Sequence, residues 1–319
     1  MSEFTFIQKI RERAAQHSSE AILGIGDDTA ILPERAGRER LITADLLIED
    51  VHFKLEYTPM HCLAHKALAV SLSDIAAMGG TPEFSLLTLG IPKSLLSLDW
   101  DEFFDSYFAL AEKFGVTLIG GDTSSSPDKL VIDSIVMGSC ERSKAIRRST
   151  AKIGDAIFVT GTLGASAAGL QLLLSGARLS DERNNSLIAH LLPQPRVEFG
   201  IAAGAAGLIH SMMDVSDGLV QDLSHICAES NVSAVIDDEA IPIAPGANLD
   251  LALSGGEDYE LLFTANHTDE DALQNLAQTC DLRLSRIGEI IHRTTENIFL
   301  RRNGNQSPLK TKGFDHFVA

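Results

Sequence analysis

An α/β protein built from two mixed domains is what this sequence predicts, on three observations. Strand-like and helical hydrophobic periodicities alternate along the chain, with turn residues between them. The alternation restarts at Lys152-Ile153-Gly154-Asp155, after a basic cluster at Lys144, Arg147 and Arg148. A length of 319 residues with 45% hydrophobic content buries a sizeable core and suits two domains better than one. The boundary is expected between 148 and 149, giving domains 1–148 and 149–319.

In the first half, 40–46 reads as a strand and 61–78 as a helix, with Leu68, Leu72 and Ile75 on one face and Gly79-Gly80 closing it. Residues 83–91 return as a strand. Asp99, with Glu102 three positions on, is an N-cap for an aromatic helix through Phe103, Phe104, Tyr107, Phe108 and Phe114, stopped by Gly115. Residues 116–119 and 130–137 complete the strands. In the second half, strands are expected at 156–160, 212–215, 259–264 and 283–290. Helices are expected after Gly164, over 196–209 and over 217–229, with another between the last two strands. No short-period repeat is present.

Composition excludes several classes of function. The formal net charge of −18 opposes binding to nucleic acid or anionic membranes, both of which attract Lys and Arg. No apolar run is long enough to span a bilayer, and charges interrupt the amino terminus, so a cytoplasmic protein is expected. Cys62, Cys140, Cys227 and Cys280 form no CxxC pair, which argues against a zinc knuckle or a disulfide framework and for reduced, mostly buried thiols. His61 and His65, one helical turn apart, lack further ligands at zinc spacing and read as surface residues. Ser166 lacks the GxSxG elbow and reads as a packing residue.

The most informative pattern is acidic residues beside glycine at element ends: Gly26-Asp27-Asp28, Thr43-Ala44-Asp45, Gly120-Gly121-Asp122-Thr123 and Asp214-Val215-Ser216-Asp217-Gly218. Asp74 stands within an otherwise apolar helix. Each alone is an ordinary turn, since an aspartate side chain caps backbone amides. Together they offer the hard oxygen donors that magnesium takes, and magnesium bridges an acidic protein to polyphosphate. Without metal such carboxylates would repel one another. No GxxxxGK[ST], GxGxxG, HRD or DFG segment occurs, so phosphate handling follows neither the P-loop nor the protein-kinase design. Gly255-Gly256-Glu257-Asp258-Tyr259-Glu260 is either a tight turn before a strand or a carboxylate offered to a cationic substrate.

The segments GIGDDTAIL, TADLLIEDVHF, KALAVSLSDIAAMGG, LIGGDTSSS, VTGTLGASAAGL, DVSDGL, LSGGEDYELLFT and KGFDHF run collinearly over nearly the whole chain. In them the sequence resembles the bacterial thiamine-monophosphate kinase family, of the superfamily shared with aminoimidazole ribonucleotide synthetase. The resemblance implies the synthetase-like fold, a homodimer formed through the amino-terminal domain, and sites in the cleft between domains. It implies ATP as co-substrate, thiamine monophosphate as acceptor and several Mg2+ ions. Metal positions match Asp28, Thr43, Ala44, Asp45, Asp74, Asp122, Asp214 and Asp217. ATP contacts match Phe104, Gly121, Asp122, Arg148 and Ser216, and the acceptor would meet His52, Glu257 and Phe314. A carboxylate and a ring suit a cationic heterocycle. Ala44 departs from the threonine often found there, which matters only if the hydroxyl is the ligand. Asp27 is a candidate for orienting Asp28. The implied chemistry is direct in-line phosphoryl transfer without a phosphoenzyme. The nearest rivals are an aminoimidazole ribonucleotide synthetase and an ATP- or metal-binding sensor without turnover; the GGEDYELLFT and KGFDHF segments favour the kinase.

Overall fold

The computed structural model describes residues 3–16, 32–179 and 184–310. They fall into two compact units, Met1–Ile75 with Gly80–Ser143, and Ala76–Gly79 with Lys144–Ala319.

The first unit comprises α1 (Glu3–Ala14), β1 (Arg38–Ile48), α2 (Met60–Ala77), β2 (Thr81–Pro92), α3 (Trp100–Lys113), β3 (Thr117–Ser126) and β4 (Val131–Glu141). Its four-stranded sheet has the order β1-β4-β2-β3. β2 and β3 run parallel with α3 as their crossover, and the other pairs are antiparallel. Along β4 burial alternates residue by residue up to Met137, the mark of a sheet with one covered face. α3 follows its sequence signals: the Asp99 side chain accepts the Glu102 amide, Phe103, Phe104, Tyr107 and Phe108 are buried, and Gly115 takes a positive φ.

One expectation is corrected here. Gly120-Gly121-Asp122-Thr123 is not a turn at an element end but lies inside β3, and Asp45 lies inside β1. At Gly121 φ is 151° and a Cβ would fall 1.8 Å from the Leu87 carbonyl oxygen. Close strand approach, not a turn, is therefore what requires glycine there.

The second unit comprises β5 (Asp155–Thr160), α4 (Ala165–Leu174), α5 (Asn185–Leu191), α6 (Val197–Ala206), β6 (Ile209–Asp214), α7 (Leu219–Glu229), β7 (Ser233–Asp237), α8 (Leu249–Ser254), β8 (Leu261–Asn266), α9 (Glu270–Thr279), β9 (Leu284–Ile291), β10 (Ile298–Arg302) and β11 (Asn305–Pro308). Its seven-stranded sheet has the order β11-β10-β7-β9-β5-β8-β6. Every residue of β5 is buried, because both faces of the sheet are covered. Ile157 and Val159 pack with Leu219, Leu223 and Ile226 of α7 and Ala252 of α8. On the alternate positions Phe158 stacks on Phe263, which meets Phe199 of α6. The helix expected over 196–209 ends at Ala206, where Gly207 adopts the left-handed conformation and releases the chain into β6. The helix expected from Asp217 begins at Leu219, which leaves Asp217 in the loop. All four cysteines are free, and Cys62, Cys140 and Cys227 are buried.

Candidate functional site

In the first unit a group of oxygen donors gathers between β1 and α2. Thr43 Oγ1 donates to Asp74 Oδ2. Ser71 Oγ, one helical turn before Asp74, donates to Asp45 Oδ2 at 2.7 Å. Burial pushes the Asp45 carboxyl up to about 6, reinforced by the charge of Asp74 and then by Asp133, while the Ser71 hydroxyl opposes the rise. The neighbours β1 turns the other way, Ile42, Ala44 and Leu46, are exposed. Ala44 carries only a methyl group, so any contribution it makes to a cation comes from its carbonyl.

The sheet register places Gly121 in the row of Asp45 and Asp122 in the adjacent row, which turns to the sheet's other face. Asp45, Ser134, Leu87 and Gly121 form one row across the four strands, and Leu46, Asp133, Thr88 and Asp122 form the next. Asp122 is exposed at the end of its row. His52 follows β1, and its Nδ1 accepts the Ile48 amide at 3.0 Å. Phe104 is 4% exposed and lines a cleft of about 90 Å³ with Lys9, Arg13 and Trp100. That is smaller than the roughly 300 Å³ or more usual for a small-molecule pocket. Asp27, Asp28 and Phe314 lie outside the described residues.

In the second unit the candidates Asp214, Ser216 and Asp217 occupy the end of β6 and the loop before α7. Asp214 is 3% exposed, whereas Ser216 and Asp217 are half-buried. The loop is shaped by Asp222, which the sequence reading passed over. Its Oδ2 accepts the amides of Ser216, Asp217 and Gly218 at 3.0, 3.1 and 3.1 Å. Burial and then the charge of Asp217 raise the Asp222 carboxyl to about 7, against those amides. Ligand atoms of Asp217, Asp222 and His225 lie within 4.8 Å of one another. An aspartate in the first turn of a helix, just after the loop that ends in Gly218, was the available signal.

The Gly255–Glu260 turn is stitched to the same loop. The Glu257 amide donates to the Ser216 carbonyl at 2.7 Å, the Tyr259 amide to Val215 at 2.9 Å, and the Val215 amide to Glu260 at 2.8 Å. Glu257 adopts φ of +65°, uncommon for a residue with a side chain. The turn's other carboxylates face inward. Asp258 accepts the Gly164 and Ser166 amides that open α4, at 2.6 and 3.2 Å. Glu260 is buried, accepts the Thr160 hydroxyl and pairs with Nε and Nη2 of Arg196. Ser166, expected merely to pack, is buried and hydrogen-bonds through Oγ to His190 Nδ1 at 3.0 Å. Arg148, the remaining ATP candidate, is exposed, and its carbonyl accepts the Ser230 hydroxyl.

Hard, charged oxygens suit a divalent cation such as magnesium better than a softer metal. Asp45 and Asp222 are raised mainly by burial and then by a neighbouring carboxylate, an environment that a cation would relieve.

Two family descriptions match the chain: AIR synthase related protein, N-terminal domain, over residues 26–140, and AIR synthase related protein, C-terminal domain, over residues 152–301. The thiamine-monophosphate kinase of Bacillus subtilis is 37% identical over 326 residues, covering 99% of this chain and 100% of that protein. The crystal structure of thiamine-monophosphate kinase from Stenotrophomonas maltophilia is 40% identical, covers 96% of this chain and 98% of its own, and superposes with a TM-score of 0.84. AaThiL complexed with AMPPCP and TMP is 31% identical over 99% of this chain and 97% of its own, with a TM-score of 0.77. The chain belongs to the thiamine-monophosphate kinase family, within the AIR synthase related proteins.

Proposed function

We propose that this protein transfers the γ-phosphoryl group of ATP to thiamine monophosphate, giving ADP and thiamine diphosphate. The observation that carries this reading is the full-length likeness to thiamine-monophosphate kinases, with the ATP-analogue and TMP complex of one relative behind it. A phosphate oxygen of the acceptor attacks the γ-phosphorus. The new P–O bond forms as the bond to the β,γ-bridging oxygen breaks, and ADP leaves with that electron pair.

The residues divide by chemistry. Thr43, Asp45, Asp74, Asp122, Asp214 and Asp217, with Asp28 and the Ala44 carbonyl, would hold magnesium. Bound there, magnesium supplies the charge neutralisation that lets two polyanions meet. Gly121, Arg148 and Ser216 contact ATP, with Phe104 near the nucleotide. His52, Glu257 and Phe314 surround the acceptor, where the Glu257 carboxylate pairs with the positive charge of the thiazolium ring. These assignments make 1–148 the domain for ATP, metal and dimerisation, and 149–319 the domain that completes the site.

A homodimer is part of the same reading. Ile42 and Leu46 of the edge strand β1 are 67% and 49% exposed, on the face that alternates with Thr43 and Asp45. On β4, Met137 opposite Ile42 and Ile135 opposite Ala44 are also only half-buried. An apolar sheet face at an open edge is stabilised by a second copy. Among the described residues no helix is long and apolar enough to cross a membrane, and the cytoplasm, where ATP and magnesium are abundant, is the proposed location.

The test is incubation of the pure protein with ATP, magnesium and thiamine monophosphate, following ADP and thiamine diphosphate by chromatography. Equal amounts of both products, abolished by EDTA, are expected. ADP without thiamine diphosphate would overturn the reading.

A further inference from the structure

His190 lies in α5, far in sequence from every motif of the site, and is 4% exposed. Its Nδ1 stands 3.2 Å from Glu257 Oε2 and 3.0 Å from Ser166 Oγ. Ser166 is itself fixed, since it is fully buried and its amide is held by Asp258 at 3.2 Å. The Glu257 backbone is pinned to Ser216, while its side chain remains 27% exposed, with one carboxylate oxygen against the imidazole.

A glutamate has three rotatable bonds, and freezing them on binding costs affinity. A carboxylate held beforehand by a buried donor avoids that cost. The form of His190 that donates to Glu257 carries its proton on Nδ1, and Ser166 Oγ, 3.0 Å from the same nitrogen, is then a second acceptor of that proton. We propose that His190 is a positioning residue that holds the Glu257 carboxylate toward the cationic ring of thiamine monophosphate, and so sets the affinity for the acceptor but not for ATP. This rests on the assignment of Glu257 to the acceptor made above.

The alternative is a buried histidine that only satisfies Ser166. Steady-state kinetics with ATP and thiamine monophosphate varied separately distinguish the two. Asparagine places a side-chain amide where Nδ1 stood, whereas glutamine extends past that point and leucine removes the donor. His190→Leu and His190→Gln are expected to raise the KM for thiamine monophosphate about tenfold, the worth of one hydrogen bond to a charged group. Both should leave the KM for ATP within about twofold, and His190→Asn should stay near wild type. The Asn and Gln pair keeps a polar side chain in the site, so the comparison survives a leucine variant that does not fold.

An unchanged acceptor KM in His190→Gln, equal changes in both KM values, or failure of asparagine to rescue would overturn the proposal. Glu257→Gln, measured alongside, separates it from the reading beneath. If that variant raises the acceptor KM and His190→Gln does not, only the role of His190 falls. If Glu257→Gln leaves the acceptor KM unchanged, the assignment of Glu257 falls and His190 with it.

Discussion

The Glu257 amide donates to the Ser216 carbonyl at 2.7 Å, so the loop proposed for ATP and metal and the carboxylate proposed for the acceptor are parts of one hydrogen-bonded piece of backbone. Between them sits Gly256, where a Cβ would fall 2.5 Å from the Ser216 carbonyl oxygen. Gly256→Ala must push the Ser216 loop and the Gly255–Glu260 turn apart. A stability loss of about 1–3 kcal/mol is expected, as for other overpacked sites. Because both segments move, KM should rise for ATP and for thiamine monophosphate together. A rise confined to one substrate would show that the segments respond separately.

Asp222 offers a test of what shapes the Ser216–Gly218 loop. One oxygen takes three amides, and an asparagine carbonyl can take the same three without the charge. Asp222→Asn is therefore expected to keep most of the activity and its magnesium dependence. Asp222→Ala strands three donors, which costs about 2 kcal/mol or more and should weaken ATP binding. Loss of magnesium affinity in the asparagine variant, read by titration against activity, would make Asp222 a ligand instead.

These relationships mark what the sequence could and could not say. α3 was legible end to end because its cap, its apolar stripe and its stop are local: Asp99, the Phe103 to Phe108 face and Gly115. β3 was misread because Gly-Gly-Asp and the serines after it are turn-like in isolation. Pairing with β2, and the lack of room beside Leu87 at Gly121, override that propensity. Asp45 and Asp74 were found by chemistry, but Ser71, which donates to Asp45, carries no sign of it, since serine in an apolar helix is common. His190 meets Glu257 only through the fold, and a lone histidine before Leu191-Leu192 reads as core.

Ser71 gives a graded test of the donor group under α2. Asp45→Asn should abolish turnover. In EDTA at pH 8 it should melt above wild type, because it removes one of the carboxylates crowded with Asp74. Ser71→Ala keeps the ligand but frees its orientation, and the magnesium concentration for half-maximal activity should rise about tenfold. A Ser71→Ala variant with wild-type magnesium dependence would remove Asp45 from the metal assignment.

Ile42 and Leu46 can be charged without touching Thr43, Asp45 and Asp74, which lie on the other face of β1. Ile42→Asp with Leu46→Lys is expected to turn the proposed dimer into monomer, read by light scattering after gel filtration. Wild-type mass at all concentrations in the double variant would move the interface elsewhere.

Asp258 predicts how stability responds to pH at the acceptor turn. Burial raises its carboxyl to about 7, opposed by the Gly164 and Ser166 amides, with the charge of Glu260 adding to the rise. An unfolded aspartate titrates near about 4. Between those two values the folded protein binds more protons than the unfolded chain, so this group's contribution to stability is complete below about 4 and is lost as pH rises through about 7. Asp258→Asn cannot titrate, and any misfit of its amide against the two donors is the same at every pH. The melting temperature of wild type minus that of Asp258→Asn, taken by calorimetry at pH 5, 6.5 and 8, is therefore expected to fall steadily. A difference that stays constant would mean that the carboxylate is already ionised at pH 5, held by the amides at the start of α4 more strongly than burial opposes it.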